Sequence, residues 1–283
     1  GGTAGAGAGG FGGAPEDKPG TIEVGVRNLC PFPLWIHASG SDVVLQPDDV
    51  MLETGDVVWY DAPEEWEAAR LTAYDAGPKQ GEVEKVEMTF DPADDGSVLN
   101  YNVTYVDWLG LPVEMESVGG GDDCKTAGCY VAESEVLNGC PDDLLDGKRC
   151  LAARTYCMIE ANQSGEFCTR LDPEIARCAS TQAECAGASG ATTGDAYACS
   201  GFFAGSPKWC AAINRGMLDD PDSTDLAAYY QNEPYNTYSA WVHQVCPGIY
   251  AFAYDDYPPV AGESGFHACR AGQELRVTFC PAG

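Results

Sequence analysis

Positive charge is scarce in this chain: its 283 residues include 15 lysines and arginines against 44 aspartates and glutamates, a formal net charge of −29. A field of that sign repels phosphate backbones and anionic lipid surfaces, which excludes nucleic acid as a partner class. Long apolar runs are missing too. No stretch approaches the roughly 18 residues of a membrane-crossing helix, so no transmembrane segment is expected. Histidine is limited to His37, His243 and His267, and none stands at metal-ligand spacing. Paired CxxC blocks are also absent. Structural zinc is set aside on those grounds, and neither a metal nor a cofactor is expected. The GxSxG elbow of serine hydrolases does not occur, and no internal repeat is found.

Cysteine, by contrast, is plentiful. Fourteen half-cystines, an even number, spread from Cys30 to Cys280 and imply a disulfide framework made in an oxidising compartment. The leader GGTAGAGAGGFGGAPEDKPG, residues 1–20, has no apolar periodicity and reads as a flexible Gly/Ala tether. It begins with Gly rather than Met, as expected after removal of a signal peptide, and it is similar to the spacers behind lipid-anchored cysteines of bacterial surface proteins. A secreted or surface-tethered monomer, with lipid anchoring upstream of the tether, is the expectation.

From residue 21 to residue 118 the pattern is one strand after another. Ile22, Val24 and Val26 alternate, as do Val57 and Trp59, Leu71 and Ala73, and Val86, Met88 and Phe90. Period-two alternation buries one face of each strand. Turn signals at Ser39, Glu53, Asp75 and Asp91 separate the runs, and helical periodicity is absent. The region is predicted to be a β-sandwich or barrel, joined by residues 270–283 because Leu275–Phe279 alternates in the same way. Residues 119–269 change character to cysteine-rich loops with short helices. Helix starts are predicted at Asp172-Pro173 and Ser206-Pro207, each a capping residue before a proline suited to a first turn, and TDLAAYYQ from Thr224 reads as a further helical patch.

Three segments carry a family likeness: IEVGVRNLCPFPLWIHA from Ile22, CPGIYAFAYDD from Cys246 and LRVTFCP from Leu275. Together they resemble the thaumatin-like, or osmotin-like, family of pathogenesis-related group 5 proteins. The resemblance implies a mainly β fold, a flattened β-sandwich or barrel beside a disulfide-rich lobe with short helices. It also implies a set of pairings. Cys30 would join Cys280, Cys124 of CKTAGC would join Cys269, Cys129 would join Cys246, and Cys140 and Cys157 would close locally with Cys150 and Cys168. Cys178, Cys185, Cys199 and Cys210 are left with three possible connectivities. The stretch at about 151–235 is longer than the family's and is read as an enlarged insertion of the lobe.

The family's cleft carries an arginine, a glutamate and three aspartates. By resemblance these fall on Arg70, Glu87, Asp107 and Asp255, with Asn102 standing where the remaining aspartate is expected. A carboxylate pair can divide acid and base work across a glycosidic bond, which singles out Glu87 and Asp107 as catalytic candidates. Arg70, Asn102 and Asp255 would bind substrate, and Tyr254 and Tyr257 would stack on sugar faces. Sequons at Asn102 and Asn162 are glycosylation acceptors in form, and a glycan on Asn102 would obstruct the groove. The resemblance thus implies binding of β-1,3-glucan or a related neutral polysaccharide in an acidic cleft. Two alternatives stand beside it: an endo-β-1,3-glucanase using the paired carboxylates, and a defence factor or inhibitor that engages basic protein partners by charge.

Overall fold

The alternating apolar residues at the two ends of the chain meet in space. In the computed structural model, which describes residues 11–12, 21–93, 96–171, 173–258, 265, 267–270 and 274–281, the strands are as follows. They are β1 (Thr21–Asn28), β2 (Leu34–Gly40), β3 (Val43–Val44), β4 (Val50–Leu52), β5 (Val57–Pro63), β6 (Ala69–Gly77), β7 (Gln80–Ala93), β8 (Gly96–Val103), β9 (Trp108–Leu109), β10 (Val113–Val118), β11 (Ala127–Gly128), β12 (Leu145–Asp146), β13 (Arg149–Leu151), β14 (His267–Arg270) and β15 (Glu274–Phe279). The chain divides into two compact units, one of Gly1–Val103, Leu111–Tyr130 and Phe266–Gly283, the other of Thr104–Gly110 and Val131–Gly265.

The first unit is a β-sandwich. One sheet runs β11-β10-β15-β1-β5, and β1 and β15 lie side by side in parallel, from Glu23 opposite Glu274 to Asn28 opposite Phe279. The other runs β14-β8-β7-β6-β2-β3, with β4 also on β2. Inward residues of both sheets, among them Val24, Val26, Val277, Ile36, Leu71, Val86 and Phe90, are fully buried. Each such side chain contributes about 1.5–3 kcal/mol by leaving water. Asn28 closes the end of β1 without an orphaned group: its amide donates to the carbonyls of Phe32 and Leu52 at 2.9 and 2.8 Å, and its Oδ1 accepts from Cys30 N–H at 2.8 Å. That loop presents Cys30 to Cys280, and the two are joined. Within the leader, Phe11 lies edge-on to Trp59 with ring centroids 5.8 Å apart, flanked by the guanidinium groups of Arg27 and Arg276.

The second unit is built of short helices: α1 (Glu133–Gly139), α2 (Ala153–Met158), α3 (Glu166–Thr169), α4 (Pro173–Thr181), α5 (Thr193–Tyr197), α6 (Pro207–Arg215) and α7 (Thr237–Val245). The predicted starts at Pro173 and Pro207 are helix starts. Asp172 lies outside the described residues, and the Ser206 hydroxyl makes no capping bond, because its backbone turns away at φ −133°, ψ 71°. TDLAAYYQ differs from the expectation. Only a 3-10 turn forms at Leu226–Ala228, begun by Asp225 Oδ1 accepting from Ala227 N–H. Tyr230 then takes a left-handed φ of 62° and donates its N–H to Arg215, which ends any helix.

Disulfides join Cys124 to Cys269, Cys140 to Cys150 and Cys157 to Cys168. Of the three connectivities open for the remaining four, the structure has Cys178 with Cys185 and Cys199 with Cys210. Cys129 and Cys246 are half-cystines as well, and no cysteine is free. No helix among the described residues is long and apolar enough to cross a membrane.

Candidate functional site

Strand register assembles the polar side chains of the first unit. Ser39 on β2 stands opposite Arg70 on β6, Arg70 opposite Glu87 on β7, and Glu87 opposite Asn102 on β8. Since residues in register share a face, these four form one row across four strands. The neighbours Leu71, Val86 and Val103 point the other way into the core, as does Tyr101 beside Asn102. Arg70 Nε donates to Glu87 Oε1 at 2.9 Å, with 58% of the arginine side chain and 32% of the glutamate exposed. An ion pair that wet contributes little stability. Its polar atoms therefore remain available to a ligand. Asn102 Oδ1 is buried without a hydrogen-bond partner among the described residues.

The predicted residues of the second unit behave differently. The Asp107 backbone carbonyl accepts from Ala152 N–H at 2.9 Å. Its carboxylate, 19% exposed, lies 3.9 Å from Arg154 Nε. The next residue, Trp108, lies under the Arg149 guanidinium, 5.2 Å from the ring centroid.

Asp255 does not line open solvent as expected of a groove carboxylate; only 1% of its side chain is exposed. Arg215 donates to Oδ1 at 3.1 Å, Ala251 N–H donates to Oδ2 at 2.8 Å, and His243 Nε2 lies 2.7 Å from Oδ2. Both oxygens are thus committed inside the protein. Burial alone raises the Asp255 pKa; His243, Arg215 and the Ala251 N–H outweigh it and hold the carboxyl below its ordinary value. Arg215 also donates to the backbone carbonyls of Asp255 and Tyr257, and its guanidinium stacks 4.5 Å from the Tyr229 ring centroid.

The cluster forms one wall of a pocket of about 310 Å³, completed by Tyr229, Tyr230, Gln231 and Gln244. Arg215 and His243 were not singled out from sequence. The available signal was local and weak: an arginine ending an amphipathic helix before a glycine, and a histidine in the last turn of another. Tyr254 and Tyr257 have tethered hydroxyls rather than free ones. Tyr254 Oη donates to the Ala204 carbonyl, and Tyr257 Oη donates to Asp222 Oδ1 at 3.0 Å, while both rings stay partly exposed. Asn162, the other sequon residue, donates its amide to the Tyr156 carbonyl at 3.2 Å.

Among curated proteins, a thaumatin-like protein 1 of Pyrus pyrifolia is 24% identical over 196 residues, covering 69% of this chain and 54% of that protein. The chain is similar to thaumatin-like proteins. A glucan endo-1,3-β-glucosidase of Prunus avium is 26% identical over 181 residues, covering 64% of this chain and 49% of the relative. The chain thus spans about half the length of the curated relatives it matches. The model of a β-1,3-glucanase family, glycoside hydrolase family 64, matches residues 171–279. That segment holds Arg215, His243 and Asp255 but neither Glu87 nor Asp107. Among solved structures, a β-1,3-glucanase domain of family 64 from Clostridium beijerinckii superposes with a TM-score of 0.68 at 17% identity, covering 94% of this chain and all of that one. A laminaripentaose-producing β-1,3-glucanase from Paenibacillus barengoltzii gives 0.66 at 18%, covering 93% of this chain and 76% of that one. At those identities the likeness is one of fold.

Proposed function

We propose that this thaumatin-like protein binds β-1,3-glucan through the polar row of β6, β7 and β8. The observation that carries the reading is the registered alignment of Arg70, Glu87 and Asn102 on one face, with the Arg70–Glu87 pair open to solvent. Guanidinium, carboxylate and amide together offer donors and acceptors at strand spacing, which suits a chain of sugar hydroxyls. The excess of acidic over basic residues argues for a neutral ligand rather than an anionic one. Export to an oxidising compartment belongs to the same proposal and is supported by the oxidised cysteines.

Hydrolysis of the same polysaccharide is the second reading, favoured by the match of residues 171–279 to a β-1,3-glucanase family. On that reading Glu87 and Asp107 supply the two carboxyl groups, one giving a proton to the leaving oxygen and the other acting as base or nucleophile. Laminarin capture and reducing-sugar release test both together. Arg70→Met and Glu87→Gln are expected to weaken capture by about tenfold, the scale of a lost charged hydrogen bond. Sugar release by the wild type that disappears in both Glu87→Gln and Asp107→Asn selects hydrolysis. Capture without release selects binding. Failure of the wild type to retain any β-1,3-glucan sinks both readings.

A further inference from the structure

On β2, one repeat along from Ser39 of the polar row, His37 meets the adjacent pair Asp48 and Asp49, eleven and twelve positions further along the chain. β4 pairs antiparallel with β2, Leu34 opposite Leu52, Trp35 opposite Met51 and Ile36 opposite Val50. Asp49, just before β4, takes a left-handed φ of 50° and brings its carboxylate to His37. One ligand atom each from His37, Asp48 and Asp49 lies within 4.8 Å of the other two. His37 Nδ1 is 2.5 Å from Asp48 Oδ1 and 3.5 Å from Asp49 Oδ1, and all three side chains are largely withdrawn from solvent.

One atom of the cluster points to a missing ligand. Asp49 Oδ1 is buried with no hydrogen-bond partner. A buried polar atom without a partner is costly, so a bound group that satisfies it would be stabilising.

We propose that His37 Nδ1, Asp48 Oδ1 and Asp49 Oδ1 form a binding site for a divalent transition cation of the zinc class. Tetrahedral zinc with bonds of about 2.1 Å places its ligand atoms about 3.4 Å apart. The 3.5 Å separation of His37 Nδ1 and Asp49 Oδ1 already has that value. The Asp48 contact opens by about 1 Å as the ion takes the place of the hydrogen bond, a shift within reach of one carboxylate rotation. An imidazole nitrogen beside carboxylates selects zinc over calcium or magnesium, which prefer oxygen alone. Lys79 Nζ lies 3.4 Å from the outer oxygens, Asp48 Oδ2 and Asp49 Oδ2, on a half-exposed side chain. It is the resident positive charge and competes with the ion.

The whole chain, stripped with a chelator, is dialysed against zinc chloride at physiological salt with millimolar calcium and magnesium present, and bound metal is measured by mass spectrometry and titration calorimetry. One zinc per chain is expected. His37→Ala and Asp49→Asn are each expected to weaken binding by tenfold or more, on the order of 10–100-fold for altered metal shells. Lys79→Met is expected to tighten it, an outcome that a purely structural lysine clamp does not produce. Should His37→Ala fail to fold, Asp49→Asn, nearly identical in shape, decides. Zinc uptake that is absent from the wild type, or unchanged in a folded His37→Ala or Asp49→Asn chain, overturns the site.

Discussion

A single buried carboxylate organises the pocket wall of the second unit. Asp255 is held by Arg215, His243 and a backbone N–H, and Arg215 itself is only 8% exposed. Breaking one member of such a pair leaves the other charge stranded. Asp255→Asn is therefore expected to lose about 3–5 kcal/mol at neutral pH, read from urea midpoints. The sign of its pH dependence follows from the depressed folded pKa. The carboxylate's contribution is fully present above the unfolded aspartate value, about 3.9, and is lost as pH falls through the lower folded value. The stability gap between wild type and Asp255→Asn should accordingly narrow below about pH 4. A gap that stays constant down to pH 2.5 would mean that the ionised form has no special hold on the fold. Glu87 presents the opposite case, an exposed ion pair of small structural worth, so Glu87→Gln should leave the melting temperature nearly unchanged while reducing glucan capture.

Helix α6 delivers Arg215 to that carboxylate because its ending is fixed. Pro207 starts it, and Gly216 closes it in the left-handed region at φ 72°, with Met217 N–H donating back to the Ala212 carbonyl at 2.7 Å. A Cβ at position 216 would lie 1.9 Å from the Asn232 carbonyl oxygen, so both conformation and space demand glycine. Gly216→Ala is expected to cost at least about 1–3 kcal/mol and to disturb the pocket through the Arg215 side chain. Comparing its thermal unfolding with that of Gly190→Ala separates the two causes, since Gly190 also has a positive φ but has nothing near its added Cβ. The polar row is likewise a property of elements. Register on β6, β7 and β8, rather than any attraction between distant residues, puts Arg70, Glu87 and Asn102 on one line.

Across the whole molecule, the Cys30–Cys280 bridge spans 250 positions. On the chain-entropy account, closing so long a loop restricts the unfolded chain by about 5 kcal/mol. The double substitution Cys30→Ser with Cys280→Ser should lower the free energy of unfolding by an amount of that order, visible as a shifted urea midpoint with the folded spectrum retained. Charge acts at the same scale. A net charge of −29 repels itself in the compact state, and added salt screens the repulsion. The melting temperature is expected to rise as sodium chloride increases from about 10 to 200 mM, over which the screening length falls from about 30 Å to below 10 Å.

Strand alternation and cysteine content were enough to read a β-rich, disulfide-stapled protein, because both are written locally and repeat every second residue or by simple count. The resemblance places Cys30 with Cys280, which the structure joins, while the common line of Arg70, Glu87 and Asn102 follows from strand register. Neighbouring residues are separable by face in the same way, with Tyr101 in the core and Asn102 on the opposite face beside Glu87. The composition of TDLAAYYQ favours a helix, but the Tyr230 backbone turns back to the Arg215 carbonyl and only a 3-10 turn forms. Nothing in YDD reports that an arginine 40 positions earlier closes over Asp255 and takes its carboxylate out of solvent. His37, Asp48 and Asp49 show no motif along the chain and meet only when β4 folds onto β2. Alternation dictates which face a side chain takes; which distant charge waits on that face is decided by the closure of the sheets and helices around it.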